Sequence, residues 1–162
     1  YNMISEMFVC LPNIICCYLG LENKEKASKY WKIFIKKTLL IDDPDIMKRF
    51  INNNSISILT NFDYYQMHEE LNEFLLLLDK YKPIEHGALN NLVTYLTMDS
   101  EEEKIEFIEK ELLSSLLGKA HFSYCKWLLD TCIRSLKRKR MYKKAVVFET
   151  EFMEEFKRYY FS

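Results

Sequence analysis

Glycine and proline occur only three times each in 162 residues, although 49% of the chain is hydrophobic. All-β domains need frequent turns and spend glycine and proline on them. A chain this poor in both, with this much apolar material, reads as long helices joined by few connections. One all-helical domain spanning 1–162 fits the length, and its core can be sizeable. The chain opens on Tyr1 rather than Met, which suggests a domain excised from a larger protein.

Helical periodicity can be followed along most of the chain. Ile4, Phe8, Leu11, Ile15 and Tyr18 step by three and four residues, so a helix is expected over about Ile4–Gly20. Pro12 should kink it or restart it at Asn13. The next helix, Lys24–Leu40, buries Ala27, Tyr30, Trp31, Phe34 and Thr38 and turns Lys24, Lys29, Lys32 and Lys36 outward. Asp42-Asp43-Pro44-Asp45 stops it and starts a short helix, Asp45–Asn52. Asn52-Asn53-Asn54-Ser55 then reads as the best loop in the chain. Asp63 can cap a helix to about Tyr81, with Met67, Leu71, Phe74, Leu78 and Tyr81 inward. Leu75, Leu76 and Leu77 widen that stripe and make this the expected central helix.

Pro83 opens a helix over Ile84–Leu96. Ser100-Glu-Glu-Glu103 has the form of a capping box, with a helix to Gly118 after it. Two further helices, His121–Lys139 and Met141–Tyr160, complete a count of about eight with no strand. The fold class is therefore all-α, an irregular bundle or short α-solenoid.

Two stretches share one device, a helix, a short charged turn and a second helix that opens on a small residue. In the first, Tyr18 stands nine residues before Ala27, and Trp31 stands four after it. In the second, Leu136, Ala145 and Glu149 occupy the same spacing, with Phe148 adjacent. These hairpins resemble tetratricopeptide-type units, in which aromatics stand nine residues before and four after a key alanine. No 34-residue period links them, and both lack the Trp-x-x-Leu-Gly opening, so the resemblance implies a helical-repeat-like scaffold without a regular array. Glu25-Lys-Ala-Ser-Lys29 and Tyr142-Lys-Lys-Ala-Val-Val-Phe148 are also similar to phrases of the all-helical dimerisation domain of telomere-repeat-binding factors. That likeness implies dimerisation through helices, or a short peptide docked in a helical groove.

Little here points to reaction chemistry. His68-Glu69-Glu70 looks like half a zinc-protease motif, but Asn72 stands where the second histidine belongs. His86 and His121 have no partner at metal-ligand spacing. Gly20, Gly87 and Gly118 are isolated, so no phosphate-cradling loop is formed. The five cysteines, Cys10, Cys16, Cys17, Cys125 and Cys132, are odd in number, contain no Cys-x-x-Cys pair, and read as free thiols of a reducing compartment. The expectation is a non-enzymatic chain with no catalytic residue, cofactor or metal. Met7–Leu21 is too short to span a bilayer and is interrupted by Pro12, so no membrane partner is expected.

Net charge is −1, and no global field favours nucleic acid. The dense basic run is Arg134, Lys137, Arg138, Lys139, Arg140, Lys143 and Lys144. Three readings stand side by side: a solvated turn complementing a helix C-terminus, a phosphate contact, and a nuclear-import signal. Lys24 through Lys37, spread over one helix face, reads as a solubility stripe. At the C-terminus, Tyr159, Tyr160 and Phe161 exceed what one helix side can bury, and they join the basic run as candidate binding residues. The function expected is protein–protein interaction inside the cell, in the nucleus if the basic run is an import signal. The domain would hold a partner helix or peptide, or self-associate, through an inter-helix apolar groove. The alternative is nucleic-acid binding through the 134–144 run.

Overall fold

The computed structural model describes residues 2–81, 87–117 and 122–161, and their side chains except those of 2–5, 7–9, 113, 115–117, 122–123 and 159–160. The expected first turn of the Ile84–Leu96 helix, the Gly118 stop, His86 and His121 lie outside the described residues. All-α architecture is confirmed, with eight helices and no strand among the described residues. They are α1 (Asn2–Gly20), α2 (Lys24–Thr38), α3 (Pro44–Tyr64), α4 (His68–Tyr81), α5 (Gly87–Thr97), α6 (Glu101–Leu117), α7 (Phe122–Arg138) and α8 (Tyr142–Tyr160). The chain divides into two compact units, Tyr1–Leu89 and Asn90–Ser162.

The first unit is two helical hairpins, α1–α2 and α3–α4, with α1 also against α3. Its core is aromatic. Trp31 meets Phe34 at 5.2 Å, Phe62 edge-on at 5.1 Å and Phe74 edge-on at 5.7 Å, and Phe34 meets Phe50 at 4.7 Å. Offset and edge-to-face pairs at such distances contribute about 0.5–1.5 kcal/mol each beyond the area they bury. Asp43 caps α3 by accepting from the Asp45 amide at 2.9 Å, with Pro44 in the first turn, as the Asp-Asp-Pro-Asp punctuation predicts.

Four expectations for this unit are corrected. Of the two readings of Pro12, the restart at Asn13 is overturned, because Pro12 is buried inside α1, which runs through it as one element. Asn52-Asn53-Asn54-Ser55 is no loop, because α3 continues to Tyr64. Asn54 donates to the Phe50 carbonyl at 2.9 Å and Ser55 to the Ile51 carbonyl, so these polar side chains bond back along the helix instead of breaking it. Burial of Phe50, Ile51, Ile58, Leu59 and Phe62 on both sides of the polar run outweighs its loop propensity. Asp63 accordingly lies in the last turn of α3 and does not cap the following helix. Met67, just before α4, and Leu71, Phe74 and Leu78 within it are buried as expected, but Tyr81 is only half-buried, Leu76 is exposed and Leu75 and Leu77 are half-buried.

The second unit is built around α7, which packs on both α6 and α8. Tyr124, Cys125, Trp127, Leu128, Leu129, Thr131, Cys132, Ile133, Ser135 and Leu136 are all buried, so α7 is covered nearly all round. The central helix of the chain's second half was therefore hidden from a one-face reading. Tyr124 stacks on Trp127 at 5.9 Å, and Tyr95 of α5 meets Trp127 edge-on at 4.9 Å. At the head of α6 the serine half of the capping box forms, the Glu103 amide donating to Ser100 Oγ at 3.3 Å. Glu102, not Glu103, is the acid that meets the serine hydroxyl, at 3.5 Å.

Three turns share one hydrogen-bond pattern. In the first, the amides of Leu21, Glu22 and Asn23 donate to the carbonyls of Cys17, Leu19 and Tyr18. In the second, Tyr65, Gln66 and Met67 donate to Asn61, Asp63 and Phe62. In the third, Lys139, Arg140 and Met141 donate to Ser135, Lys137 and Leu136. Each is a Schellman C-cap, and each places a non-glycine residue in left-handed backbone: Glu22 at φ 56°, Gln66 at 57° and Arg140 at 58°. The second helix then starts without an intervening loop, with the amides of Ala27, Leu71 and Ala145 donating to Asn23, Met67 and Met141. Ala27, Leu71 and Ala145 occupy one equivalent buried position. The two hairpins read from the alanine spacing are thus joined by a third, where leucine takes the alanine's place.

Candidate binding surfaces

The basic run is assembled by the Schellman turn between α7 and α8. Three of its members face the acidic side of α6 and are neutralised there. Arg138 lies 3.2 Å from Glu101, Lys139 Nζ 2.7 Å from Glu102, and Lys144 Nζ 2.5 Å from Glu109. Arg134 reaches Thr131 Oγ1 at 3.4 Å, and Arg138 also reaches Ser135 Oγ at 3.3 Å. The Lys139 ammonium holds the Glu102 carboxyl below the ordinary glutamate range. Sequence reading assigned the Glu101-Glu102-Glu103 cluster to the start of its own helix. Its second role, a charge clamp on the α7–α8 turn, depends on tertiary packing. Lys137, Arg140 and Lys143 are exposed.

Of the C-terminal aromatics, the side chains of Tyr159 and Tyr160 lie outside the described residues. Phe161 is 76% exposed, with its ring 6.3 Å from that of Phe156.

The lysines of α2 differ from the 134–144 run. Lys24, Lys26, Lys29, Lys32, Lys36 and Lys37 share the helix with Glu25 as its one acid. Lys26 lies over the Tyr18 ring at 5.3 Å, and none of the others makes an ion pair among the described residues. Glu25, Ser28, Lys29, Lys32, Ile33 and Lys36 line an open concavity along this face. Leu39 and Leu40, just past the helix, are exposed and extend its apolar content.

Two glutamates of α4 hold the adjoining side of α2, at the edge of this concavity. Buried Glu70 accepts from Ser28 Oγ at 2.5 Å, and Glu73 accepts from Trp31 Nε1 at 2.6 Å. Sequence reading considered Glu70 only as part of a failed zinc motif. His68, the histidine of that motif, is exposed in the first turn of α4. Among the described residues no three His, Cys, Asp or Glu side chains converge on one point, and no helix is long and apolar enough to cross a membrane.

The thiols fall into two groups. Cys10 and Cys17 are exposed, whereas Cys125 and Cys132 are buried in α7. Burial pushes the Cys132 thiol up to about 12, with Glu109 adding to the rise and Lys144 opposing it. Cys16, near Ser57 Oγ at 3.8 Å and the Asn61 amide at 3.6 Å, is also raised, chiefly by burial. Desolvation likewise raises the Asp130 carboxyl against the opposing charges of Lys126 and Arg134.

The chain matches no protein-family model, no curated protein and no solved structure.

Proposed function

We propose that this chain is a non-enzymatic interaction domain, a scaffold of tetratricopeptide-like helical hairpins that holds a partner protein on an exposed helix face. The observation that carries the reading is the distribution of charge. The α2 lysines stand without ion-pair partners among the described residues, around a concavity that contains an apolar residue, Ile33. Such a surface, a rim of charge around an apolar centre, suits a complementary helix.

Nucleic-acid binding through the 134–144 run is the second reading. Arg138, Lys139 and Lys144 are already engaged by Glu101, Glu102 and Glu109, which leaves Lys137, Arg140 and Lys143 for phosphates. Every phosphate that these side chains neutralise should steepen the salt dependence of binding.

Photo-crosslinking residues introduced singly at Ile33, Leu76 and Tyr142 test the first reading in whole-cell extract. Reproducible crosslinks to protein at one position and not the others are expected. A folded chain that crosslinks to no protein at any position removes the interaction reading. Salt-sensitive binding to a DNA or RNA duplex, lost on K137E/R140E/K143E, would install the second.

A further inference from the structure

We propose that α8 pairs with α8 of a second copy of this chain, antiparallel and about a two-fold axis that passes between Val147 and Thr150. This contact lies apart from the α2 face, so it stands or falls independently of the interaction reading above.

The face that α8 turns to solvent is complementary to itself. Lys143, Val147, Thr150 and Glu154 recur at the i, i+4, i+7 and i+11 spacing of a coiled-coil seam. Helical periodicity puts them opposite the buried Ala145, Phe152 and Phe156, and all four are exposed. Val146 and Val147 are each more than half exposed. The Thr150 hydroxyl donates back to the Val146 carbonyl at 2.9 Å, which leaves its methyl group for a neighbour. A base thus stands at one end of the seam and an acid at the other, roughly 16 Å apart at about 1.5 Å rise per residue. Neither Lys143 nor Glu154 makes an ion pair among the described residues.

Turned end over end, the seam matches its own copy. With Lys143 set against Glu154 of the copy, Val147 meets the copy's Thr150, and the two-fold axis repeats both contacts. The flanks follow the same register. On one edge exposed Val146 comes beside Met153 of the copy. On the other, Glu151 comes beside the copy's Lys144, which also holds Glu109 of its own chain. Lys157 meets the copy's Arg140 only at the outer ends, where both are exposed and salt screens them. Parallel pairing would instead set Lys143 beside Lys143 and Glu154 beside Glu154. Because α8 is basic at Lys143 and Lys144 and acidic over Glu149, Glu151, Glu154 and Glu155, the antiparallel arrangement opposes unlike halves.

The same mixed charge argues against other occupants. A phosphate backbone or an anionic membrane laid on this face would meet Glu151 and Glu154. One helix face buries less than the roughly 800 Å² per partner of a standard interface, so the dimer should be weak.

Sedimentation velocity on the full chain, over a concentration series at low and high salt, provides the test. Wild type should dimerise, less tightly at high salt. K143E and E154K should each weaken the dimer roughly tenfold or more, because two attractive contacts per dimer become repulsive. Mixed one to one, they should form a heterodimer, and K143E/E154K in one chain should restore self-association. V147E, which places a charge beside the axis, should abolish the dimer at either salt. Circular dichroism checks folding, and K143Q or E154Q replaces any charge reversal that fails to fold, with a smaller weakening expected. Wild type that stays monomeric throughout overturns the proposal. So does a dimer that K143E and E154K leave unchanged, or a mixture of the two that forms no heterodimer. A dimer lost in K29E/K32E/K36E but kept in the α8 variants moves the contact to α2 and also overturns it. A monomeric chain that still crosslinks to another protein at Ile33 would sink this inference while the interaction reading stood.

Discussion

Trp31 Nε1 donates to Glu73 Oε2 at 2.6 Å, linking α2 to α4 at the edge of an aromatic core that the same indole occupies. An indole buried without a hydrogen-bond partner for its N–H would lose free energy, and the carboxylate supplies one. Trp31→Phe should destabilise the first unit by about 1–3 kcal/mol, whereas Glu73→Gln, which keeps an acceptor, should cost less. Trp31 and Trp127 belong to different units, so urea unfolding of Glu73→Gln in a Trp127→Phe background follows the first unit by its own fluorescence. For Trp31→Phe, Trp127 is retained and circular dichroism reports the loss.

The Schellman turns are built with the wrong residues in the left-handed position, and this can be relieved. Gly20 sits in helical backbone with open space where a Cβ would stand, no atom lying within 4 Å of that point, while Glu22 two residues later carries the positive φ. Exchanging the two, Gly20→Ala with Glu22→Gly, should stabilise by about 1 kcal/mol. Arg140→Gly should act in the same direction at the third turn. Thermal melts that fall instead of rising would show that the Glu22 side chain has a role the backbone does not reveal.

Met141 caps α8 without a side-chain hydrogen bond, whereas Asn23 caps α2 by accepting from the Lys26 amide at 3.1 Å. Met141→Asn should raise the melting temperature, by an amount matching roughly 0.5–2 kcal/mol of cap stabilisation.

Ala27 and Ala145 have no exposed surface, and Leu71 occupies the equivalent place in the α3–α4 hairpin. Leucine at 27 or 145 should overpack its hairpin and cost about 1–3 kcal/mol. Leu71→Ala should cost about 2–5 kcal/mol by leaving a cavity. Chemical denaturation of the three variants would measure the difference.

The Glu102 carboxyl has its folded value lowered, first by the hydrogen bond from Lys139. Its contribution to stability is therefore present above the unfolded glutamate value of about 4.3 and is lost as pH falls through the lower folded value. Carboxyl NMR titration should place the Glu102 midpoint below that of an unpaired glutamate, and Lys139→Ala should bring it back up.

Thiol chemistry should sort by position. Thiolate is the reactive species, and at a pH of about 8 a thiol held near 12 is almost wholly protonated. Cys10 and Cys17 should react with a disulfide reagent first and Cys16 more slowly, with Cys125 and Cys132 reacting only as the second unit unfolds. Mass spectrometry of time-resolved labelling checks the order.

Much of the architecture follows from local rules that the sequence carries openly. Scarcity of glycine and proline, the three-four spacing of apolar residues, Asp43-Pro44 and Ser100 were enough for an all-α chain of about eight helices. The α1–α2 and α7–α8 hairpins were legible because an alanine one turn into the second helix follows the turn at fixed spacing. The α3–α4 hairpin escaped because Leu71 replaces that alanine, and because the asparagine run in α3 has the propensity of a loop. Its helical state depends on Phe50, Ile51, Ile58 and Leu59, which are buried only once the hairpins pack.

Charge shows the same division more sharply. Sequence alone determined which residues carry charge and on which helix face each lies, since periodicity sets both. It marks the dense 134–144 run as the candidate surface and reads the sparser α2 lysines as a solubility stripe. Tertiary structure decided which of these charges are neutralised. It brings Glu101, Glu102 and Glu109 of α6 against Arg138, Lys139 and Lys144, while among the described residues Lys29, Lys32 and Lys36 make no ion pair. An ion pair depends on distance in space, and residues far apart in sequence reach that distance only through the packing of the whole unit.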